Sequence, residues 1–170
     1  MKVLTGILAI LISASSVWAA MEMTPYQGSA ELQRLKTFEG KWEGTGKEID
    51  GTENPVKVEY AVTSNGSAVI EKLFAGSPHE MVTVYYDKKG KLALTHYCSV
   101  GNRPEMDLVA ANDNKIELSL NENSPIGVNE GHMHALVISF EGKDHIEQSW
   151  TLYQDGKEAG KAVFNFRRAK

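Results

Sequence analysis

Apolar side chains recur at every second position from residue 41 to the C-terminus, and this periodicity constrains the fold more than any other feature. Alternate side chains of an extended chain share a face, so a period of two is typical of strands buried on one face. Ten strand-like runs show this pattern: 41–49, 55–63, 67–74, 79–87, 91–100, 103–110, 114–120, 131–141, 144–154 and 158–167. The sequence therefore predicts an all-β chain.

The segments between the runs are short and rich in turn-forming residues. They include Ser64-Asn65-Gly66, Asp87-Lys88-Lys89-Gly90, Asn112-Asp113-Asn114, Glu141-Gly142-Lys143 and Asp155-Gly156. No segment is suited to a crossover helix, so consecutive runs should pair as antiparallel hairpins. Ten such strands leave two unpaired edges unless the sheet closes. We predict a closed ten-stranded antiparallel up-and-down barrel, with the longest break, 121–130, as a loop at one rim.

The N-terminal part divides into segments of different character. Residues 1–20 combine Lys2 with an apolar run too short to span a bilayer and with small residues before the expected cleavage point, which is the layout of a secretory signal peptide. We expect an exported protein, periplasmic or secreted. We expect residues 21–28 to form a flexible N-terminal lead and residues 29–170 to form a single β-barrel domain. This domain begins with Ser29 as the N-cap of a short amphipathic helix.

Charge and cysteine content restrict the partners. The formal net charge is −4 and no basic stripe is present, so nucleic acid and anionic membrane surfaces are not expected as partners. No second apolar segment reaches spanning length, so no membrane insertion is expected after signal cleavage. Cys98 is the only cysteine, which excludes an internal disulfide. The sequence leaves the oligomeric state open.

The stretch FEGKWEGTG, residues 38–46, is the most specific local pattern. Trp42, Gly44 and Gly46 share one face of the first run, and a large indole beside two side chains of no bulk suits a sharply bent strand at a barrel end. The first and last strands of a closed meander are neighbours, so Arg168 can stack on Trp42 as a cation–π pair. The predicted structural signature of the barrel is Gly40, Trp42, Gly44, Gly46 and Arg168.

This pattern resembles the calycin superfamily, in which Gly-x-Trp on the first strand meets an arginine on the last. Residues 40–42, Gly-Lys-Trp, match the first half, and Arg168 (or Arg167) matches the second. The strand number and the further Gly44-x-Gly46 are similar to the nitrobindin-like haem barrels and to the uncharacterised exported proteins of the DUF1579 type. The resemblance implies a calycin-like, lipocalin-like barrel.

The nitrobindin-like family binds haem through a histidine close to the C-terminus and reacts with nitrogen oxides. The resemblance therefore implies haem as a cofactor. In this chain the last histidine is His145, at the start of the ninth strand-like run, so the position of that ligand is not carried over.

Two runs carry the side chains suited to metal or haem iron. His96 and Cys98 share a face in KLALTHYCSV, and His132 and His134 share a face with three large apolar residues in GHMHALVISF. Such faces are too apolar to point to water, which indicates an inward direction. Imidazole and thiolate suit copper, zinc or haem iron. The alternative is a small buried Cys98 and histidines that are hydrogen-bonded wall residues.

Other residues on faces predicted to point inward include Tyr86, Gln148 and Trp150. Isolated hydrogen-bonding groups in an apolar lumen orient a small molecule, although a strand register shifted by one would produce the same pattern without a pocket. The predicted ligand-binding residues are His132, His134, His96, Tyr86, Gln148 and Trp150.

These features support functional hypotheses of three classes. The first is an exported protein that binds a small apolar or amphipathic ligand in its lumen. The second is a haem- or metal-binding barrel with nitrogen-oxide or redox chemistry at His96, Cys98, His132 and His134. The third is a ligand-free envelope module whose side chains fill the barrel. No familiar catalytic motif is present, so the sequence favours binding over catalysis and identifies no catalytic residue.

Overall fold

The computed structural model describes residues 24–170 and confirms a closed ten-stranded antiparallel barrel. The elements in chain order are α1 (Ala30–Lys36), β1 (Gly40–Lys47), β2 (Glu53–Thr63), β3 (Ala68–Leu73), β4 (Met81–Lys88), β5 (Lys91–Tyr97), β6 (Glu105–Asn112), β7 (Lys115–Leu120), β8 (His132–Glu141), β9 (His145–Gln154) and β10 (Lys157–Arg168). The predicted signal peptide, residues 1–20, lies outside the described residues. Within the described residues, no helix combines the length and hydrophobicity needed to cross a bilayer.

The strands follow one another around the barrel in sequence order. Each strand pairs antiparallel with the next, and β1 closes the barrel by pairing with β10. The inward side chains are mostly apolar and form one core together with α1. The period of two in the sequence therefore arises from a sheet with one face turned to the lumen and the other to solvent.

The fifth strand ends earlier than the sequence predicts. β5 stops at Tyr97 rather than at residue 100. The reason is a tight turn: Gly101 has a φ of 93°, and its N–H donates to the Cys98 carbonyl at 3.0 Å. Such a φ favours glycine. Cys98 therefore lies in the turn after β5 and not in the strand.

Helix α1 covers one end of the barrel, which we call the helix end. The Ser29 hydroxyl caps the helix by accepting from the Leu32 N–H at 3.1 Å, and it donates to Asp87 on β4 at 2.7 Å. Leu32 and Leu35 are fully buried on the inner face of the helix. Phe38, just after the helix, is also buried in the core. This short helix is held by its cap and its apolar face, because an isolated helix of this length is not stable in water.

Trp42 and Arg168 join the first and last strands beneath α1. They are direct partners in the β1–β10 register, and the guanidinium carbon lies 4.3 Å from the centroid of the indole. Arg168 also donates to the carbonyl oxygens of Thr37 and Glu39, each at 2.9 Å. The Trp42 Nε1–H donates to the Phe38 carbonyl at 2.7 Å. The helix end is therefore sealed by packing and by hydrogen bonds together.

Two glycines of β1 allow the close pairing of β1 with β10. A Cβ at Gly44 would lie 1.8 Å from the carbonyl oxygen of Asn165, so a larger residue would push β1 and β10 apart. A Cβ at Gly46 would lie 2.5 Å from the ring of Phe164. The missing side chains make room for the backbone at one position and for an aromatic ring at the other.

The opposite end of the barrel carries the long connections, and we call it the loop end. It is formed by residues 48–52, 74–80, 98–104, 121–131 and 155–156. The longest break predicted from the sequence is thus part of this rim, immediately before β8.

Candidate functional site

Several fully buried polar side chains lie inside the barrel around Glu71 on β3. Glu71 Oε2 accepts from the Tyr85 hydroxyl at 2.9 Å and from Gln148 Nε2 at 2.6 Å. All three side chains are 0% exposed. Tyr85 is on the adjacent strand β4, whereas Gln148 is on β9, on the far wall. The Gln148 amide therefore crosses the lumen.

Tyr60 on β2 and Trp150 on β9 extend this group. Gln148 Nε2 also donates to the Tyr60 hydroxyl at 2.7 Å, and Gln148 Oε1 accepts from Trp150 Nε1 at 3.0 Å. These contacts fix the orientation of the amide. We call Tyr60, Glu71, Tyr85, Gln148 and Trp150 the Glu71 cluster.

The strand register places Thr83 and His96 beside this cluster. Glu71 pairs with Thr83 on β4, and Thr83 pairs with His96 on β5. These three residues form a row along the inner wall, which we call the lumen row. Thr83 Oγ1 and His96 Nδ1 are 2.9 Å apart, and the His96 ring centroid lies 4.6 Å from that of Trp150. The lumen row and the Glu71 cluster are one continuous site.

Burial determines the protonation of this site. Loss of hydration lowers the pKa of His96 to about 4, so the imidazole is neutral near pH 7. Burial raises the pKa of Glu71, and hydrogen bonds from the cluster act in the opposite direction. Desolvation thus shifts both Glu71 and His96 towards their neutral forms.

Two atoms of the site are buried without a hydrogen-bond partner among residues 24–170. They are Glu71 Oε1 and His96 Nε2. Leaving a buried polar atom unpaired costs about 1–3 kcal/mol. Both atoms belong to the lumen row, so the unused hydrogen-bonding capacity is concentrated in one part of the lumen.

Tyr85, and not Tyr86, is the tyrosine of β4 that faces the lumen. Tyr86, which the sequence placed on the inward face, is partly exposed, and its hydroxyl lies 3.3 Å from Thr95 Oγ1. The two tyrosines are adjacent, so an error of one residue in the register exchanges them. Pairing with β3 fixes the register, because Tyr85 lies opposite the buried Val69.

His132 and His134 lie at the loop end, where β8 begins. The register of β8 with β9 shifts between Met133 and Ala135, which interrupts the alternation that predicted an inward direction for both histidines. Met133, between them, packs against the core. The His134 ring stacks on Tyr153 with centroids 3.7 Å apart. The two histidines therefore form a separate group on the rim.

The four predicted metal ligands do not come together. Within residues 24–170, no group of three or more His, Cys, Asp or Glu side chains is arranged to hold a metal ion. β5 and β8 are separated by two strands, which keeps His96 apart from the rim histidines. Cys98 lies in the turn after β5, with its Sγ 3.9 Å from Met81 Sδ.

Haem, the cofactor implied by the resemblance, does not fit the residues of the lumen. His96 has an unpartnered Nε2, which an axial ligand requires. However, the Trp150 ring packs 4.6 Å from the imidazole, and Gln148 crosses the lumen to Glu71 at 2.6 Å. These side chains occupy the space that a porphyrin beside His96 would need.

Alternation alone does not reveal Glu71, Tyr85 or Thr83 as site residues. In the run AVIEKL each face carries one charged residue, so the period of two cannot decide between them. A three-residue turn at 64–66 would place Ile70 opposite Tyr60, whereas in the structure the connection also includes Ser67 and Tyr60 pairs with Glu71. Tyr60 belongs to a clearly apolar face, but the turn signal at 64–66 alone would have assigned Ile70 to that face, so Glu71 could not have been found from turn position and alternation.

A surface cleft of about 780 Å³ lies outside the barrel. Its lining includes Gly44, Phe74 and Arg167, and none of its lining residues belongs to the Glu71 cluster or the lumen row. The cleft and the buried polar site are therefore separate features.

Comparison with known proteins supports the fold alone. No protein-family model and no curated protein sequence matches the chain. The structure is similar to a crystal structure of a protein of unknown function from the DUF3598 family of Nostoc punctiforme PCC 73102, with a TM-score of 0.54 and 10% sequence identity over 79% of this chain and 49% of that chain. This chain thus spans about half the length of that protein.

A redesigned β-barrel also matches, with a TM-score of 0.39 and 9% identity over 81% of this chain and 96% of that chain. Neither protein is described as nitrobindin-like or of the DUF1579 type, so that finer resemblance stays a prediction. The protein is a β-barrel whose closed form fits a calycin-like fold.

Proposed function

We propose that this barrel binds a small amphipathic molecule in its lumen, with the polar end of the ligand at Glu71 and His96. The observation that carries the proposal is the pair of buried atoms, Glu71 Oε1 and His96 Nε2, without a partner among the described residues. A polar group bound between the walls would satisfy these atoms and recover part of the cost, about 1–3 kcal/mol for each.

The surroundings of the lumen row favour an amphipathic ligand over a wholly polar one. Leu73 and Met81 pair across β3 and β4, one inward position closer to the loop end than Glu71 and Thr83. They are 1% and 9% exposed. Trp150 adds an aromatic surface beside His96. A polar head at the lumen row and an apolar body among these side chains is the arrangement typical of small-molecule sites.

The ligand would enter from the loop end. The helix end is sealed by α1 and by the Trp42–Arg168 pair. In this proposal His132 and His134, on the rim, contact the ligand or line its route.

Export completes the proposal and rests on the predicted signal peptide, residues 1–20. Expression of the full chain in a bacterial host and N-terminal sequencing of the periplasmic product would test it. We expect cleavage close to residue 20. An intact N-terminus in the cytoplasmic fraction would contradict export.

Binding in the lumen can be tested with a neutral fluorescent amphiphile, N-phenyl-1-naphthylamine. Titration into the wild-type protein should give a saturable rise in fluorescence. The variants Glu71→Gln and His96→Phe should bind at least tenfold more weakly, which corresponds to about 1.4 kcal/mol. Tyr86→Phe, on the outer face of β4, is the matched control and should bind as the wild type does.

Two results would contradict the proposal. Saturable binding that neither lumen substitution changes would locate the probe outside the lumen. No binding of the probe, together with no small molecule released when the purified protein is denatured, would contradict ligand binding altogether.

A ligand-free structural module is the second candidate function. It is favoured by Gln148, whose amide spans the lumen to Glu71 and Tyr60 and so occupies part of it. Barrels of this size can fill their own centre with side chains. A high-resolution crystal structure with one ordered water joining Glu71 Oε1 to His96 Nε2, unchanged after soaking with the probe, would favour this candidate.

A further inference from the structure

We propose that His132 and His134 form a two-histidine site for a divalent transition-metal ion, and that Cu²⁺ is the ion bound most strongly. The site lies on the rim at the loop end. It is separate from the Glu71 cluster and does not depend on ligand binding in the lumen.

The two facing ring nitrogens already have the separation of adjacent ligands on one ion. His132 Nε2 and His134 Nδ1 are 3.1 Å apart. Metal–imidazole bonds are about 2.0–2.1 Å long, so an ion bonded to both nitrogens would make an N–metal–N angle of about 95–100°. This is close to the angle of about 90° in square-planar or tetragonal Cu²⁺.

Hydrogen bonding leaves one metal-binding lone pair available. His132 Nδ1 lies 2.7 Å from the carbonyl oxygen of Glu130, which can only accept, so Nδ1 carries the proton and Nε2 is unprotonated in the neutral ring. The proton between the two rings is then on His134 Nδ1. A tautomeric shift of this proton to His134 Nε2 frees the second lone pair, and the ion takes the place of the proton between the rings.

The rim holds both rings in place for such an ion. Metal-binding histidines usually donate their other ring N–H to a carboxylate or carbonyl, and Glu130 supplies that carbonyl. The His134 ring is stacked on Tyr153 with an interplanar angle of 15°. The turn below His132 is itself fixed, because the Glu130 carboxylate accepts from the Gly127 N–H at 2.8 Å and from Asn102 Nδ2 at 3.0 Å.

Two protein ligands imply an open and exchangeable site. The described residues contain no group of three or more His, Cys, Asp or Glu side chains placed around one ion, so water completes the coordination. Affinity for imidazole ligands rises along the first-row divalent ions to a maximum at Cu²⁺. Cu²⁺ should therefore bind more tightly than Ni²⁺ or Zn²⁺ at this pair.

The test is titration of Cu²⁺ into the purified full-length protein, made without a polyhistidine tag, followed by calorimetry and electron paramagnetic resonance. The wild type should bind one ion per chain with hyperfine coupling to two imidazole nitrogens. His134→Gln and His132→Gln should each weaken binding at least tenfold. His79→Gln removes an exposed histidine and is the matched control, with wild-type affinity expected.

His134→Gln decides the outcome, because His134 is more exposed than His132 and its loss should leave the thermal midpoint almost unchanged. Wild-type affinity in this variant would overturn the proposal, as would a spectrum without imidazole coupling. Glu71→Gln should bind Cu²⁺ as the wild type does. Failure of the lumen-binding test with retained Cu²⁺ binding would therefore contradict only the proposed function.

Discussion

The Trp42–Arg168 pair at the helix end and the lumen row differ in how their polar groups are satisfied. At the helix end the Trp42 indole N–H donates to a carbonyl, and Arg168 donates to two more. In the lumen row Glu71 Oε1 and His96 Nε2 have no partner among residues 24–170, although both side chains are almost completely buried.

The difference separates the part of the barrel that stabilises the fold from the part suited to binding. Paired hydrogen bonds and aromatic packing at the helix end lower the free energy of the folded state. Unpaired atoms in the lumen raise it by about 1–3 kcal/mol each. Proteins tend to tolerate unfavourable local features at functional sites and to offset their free-energy cost elsewhere. In this barrel the paired contacts at the helix end offset the cost of the unpaired atoms in the lumen.

The largest expected effect comes from breaking the helix end. Trp42→Ala should lower the free energy of unfolding by about 3–5 kcal/mol, because it removes a buried indole from a well-packed core. Chemical denaturation monitored by circular dichroism measures the change. Tyr97→Ala removes an aromatic side chain that is 48% exposed and is the control, with a change within about 0.5 kcal/mol. Equal effects of the two substitutions would show that Trp42 does not seal the barrel.

Lowering the pH should destabilise the folded protein through the lumen row and not through the helix end. The pKa of His96 is about 4 in the folded protein, against 6.5 for an unperturbed histidine. The folded state therefore resists protonation. The stability that neutral His96 contributes is present above pH 6.5 and is lost as the pH falls to about 4, a loss of about 3 kcal/mol. His96→Phe should remove this part of the pH dependence, as measured by denaturant unfolding at about pH 4 and about pH 7.5.

Thr83→Val is the control for this measurement, because it retains His96 and should retain the pH dependence. Glu71 is unchanged in both variants. Its raised pKa acts in the opposite sense, since its contribution is present at low pH and is lost as the pH rises through the folded pKa. A pH profile of His96→Phe identical to that of the wild type would show that His96 is not held neutral by burial.

The barrel could be predicted from the sequence because its determinants are local. Most strands are visible as a period of two, the short connections carry turn residues, and closure follows from the need to remove two sheet edges. Strand ends are less predictable, as β5 shows: its end depends on the turn at Gly101 and not on the apolar pattern.

The candidate site was only partly predictable because it depends on pairing between distant strands. Gln148 and Trp150 lie in a regular alternating strand, and both point into the lumen. Glu71 lies in a strand where alternation is ambiguous, and its site role comes from a partner 77 residues away. The bulge near Met133 is invisible in the sequence pattern, yet it decides where the rim histidines lie.

The two adjacent tyrosines of β4 offer a sharper test of the lumen site. Tyr85→Phe removes a buried donor to Glu71 and should lower the free energy of unfolding by about 1–3 kcal/mol. Tyr86→Phe, on the outer face, removes only a long contact with Thr95 and should change it by less than about 0.5 kcal/mol. Thermal and denaturant unfolding of both variants measure the difference. The reverse order would mean that β4 is shifted by one residue and that Glu71 lacks its tyrosine partner.

The smallest expected effect concerns the cation at the helix end. Arg168→Met keeps an alkyl stem over the Trp42 ring but removes the charge and the donors, so a loss of about 0.5–2 kcal/mol is expected. Arg167→Met is the matched control, because Arg167 lies on the outer face opposite Glu43 and should cost less than about 0.5 kcal/mol. Denaturant unfolding of both variants at low and high salt measures the difference between them. An Arg168 effect that persists at high salt indicates the partly buried stacking and carbonyl contacts, whereas a larger cost for Arg167 would contradict the observed register of β10.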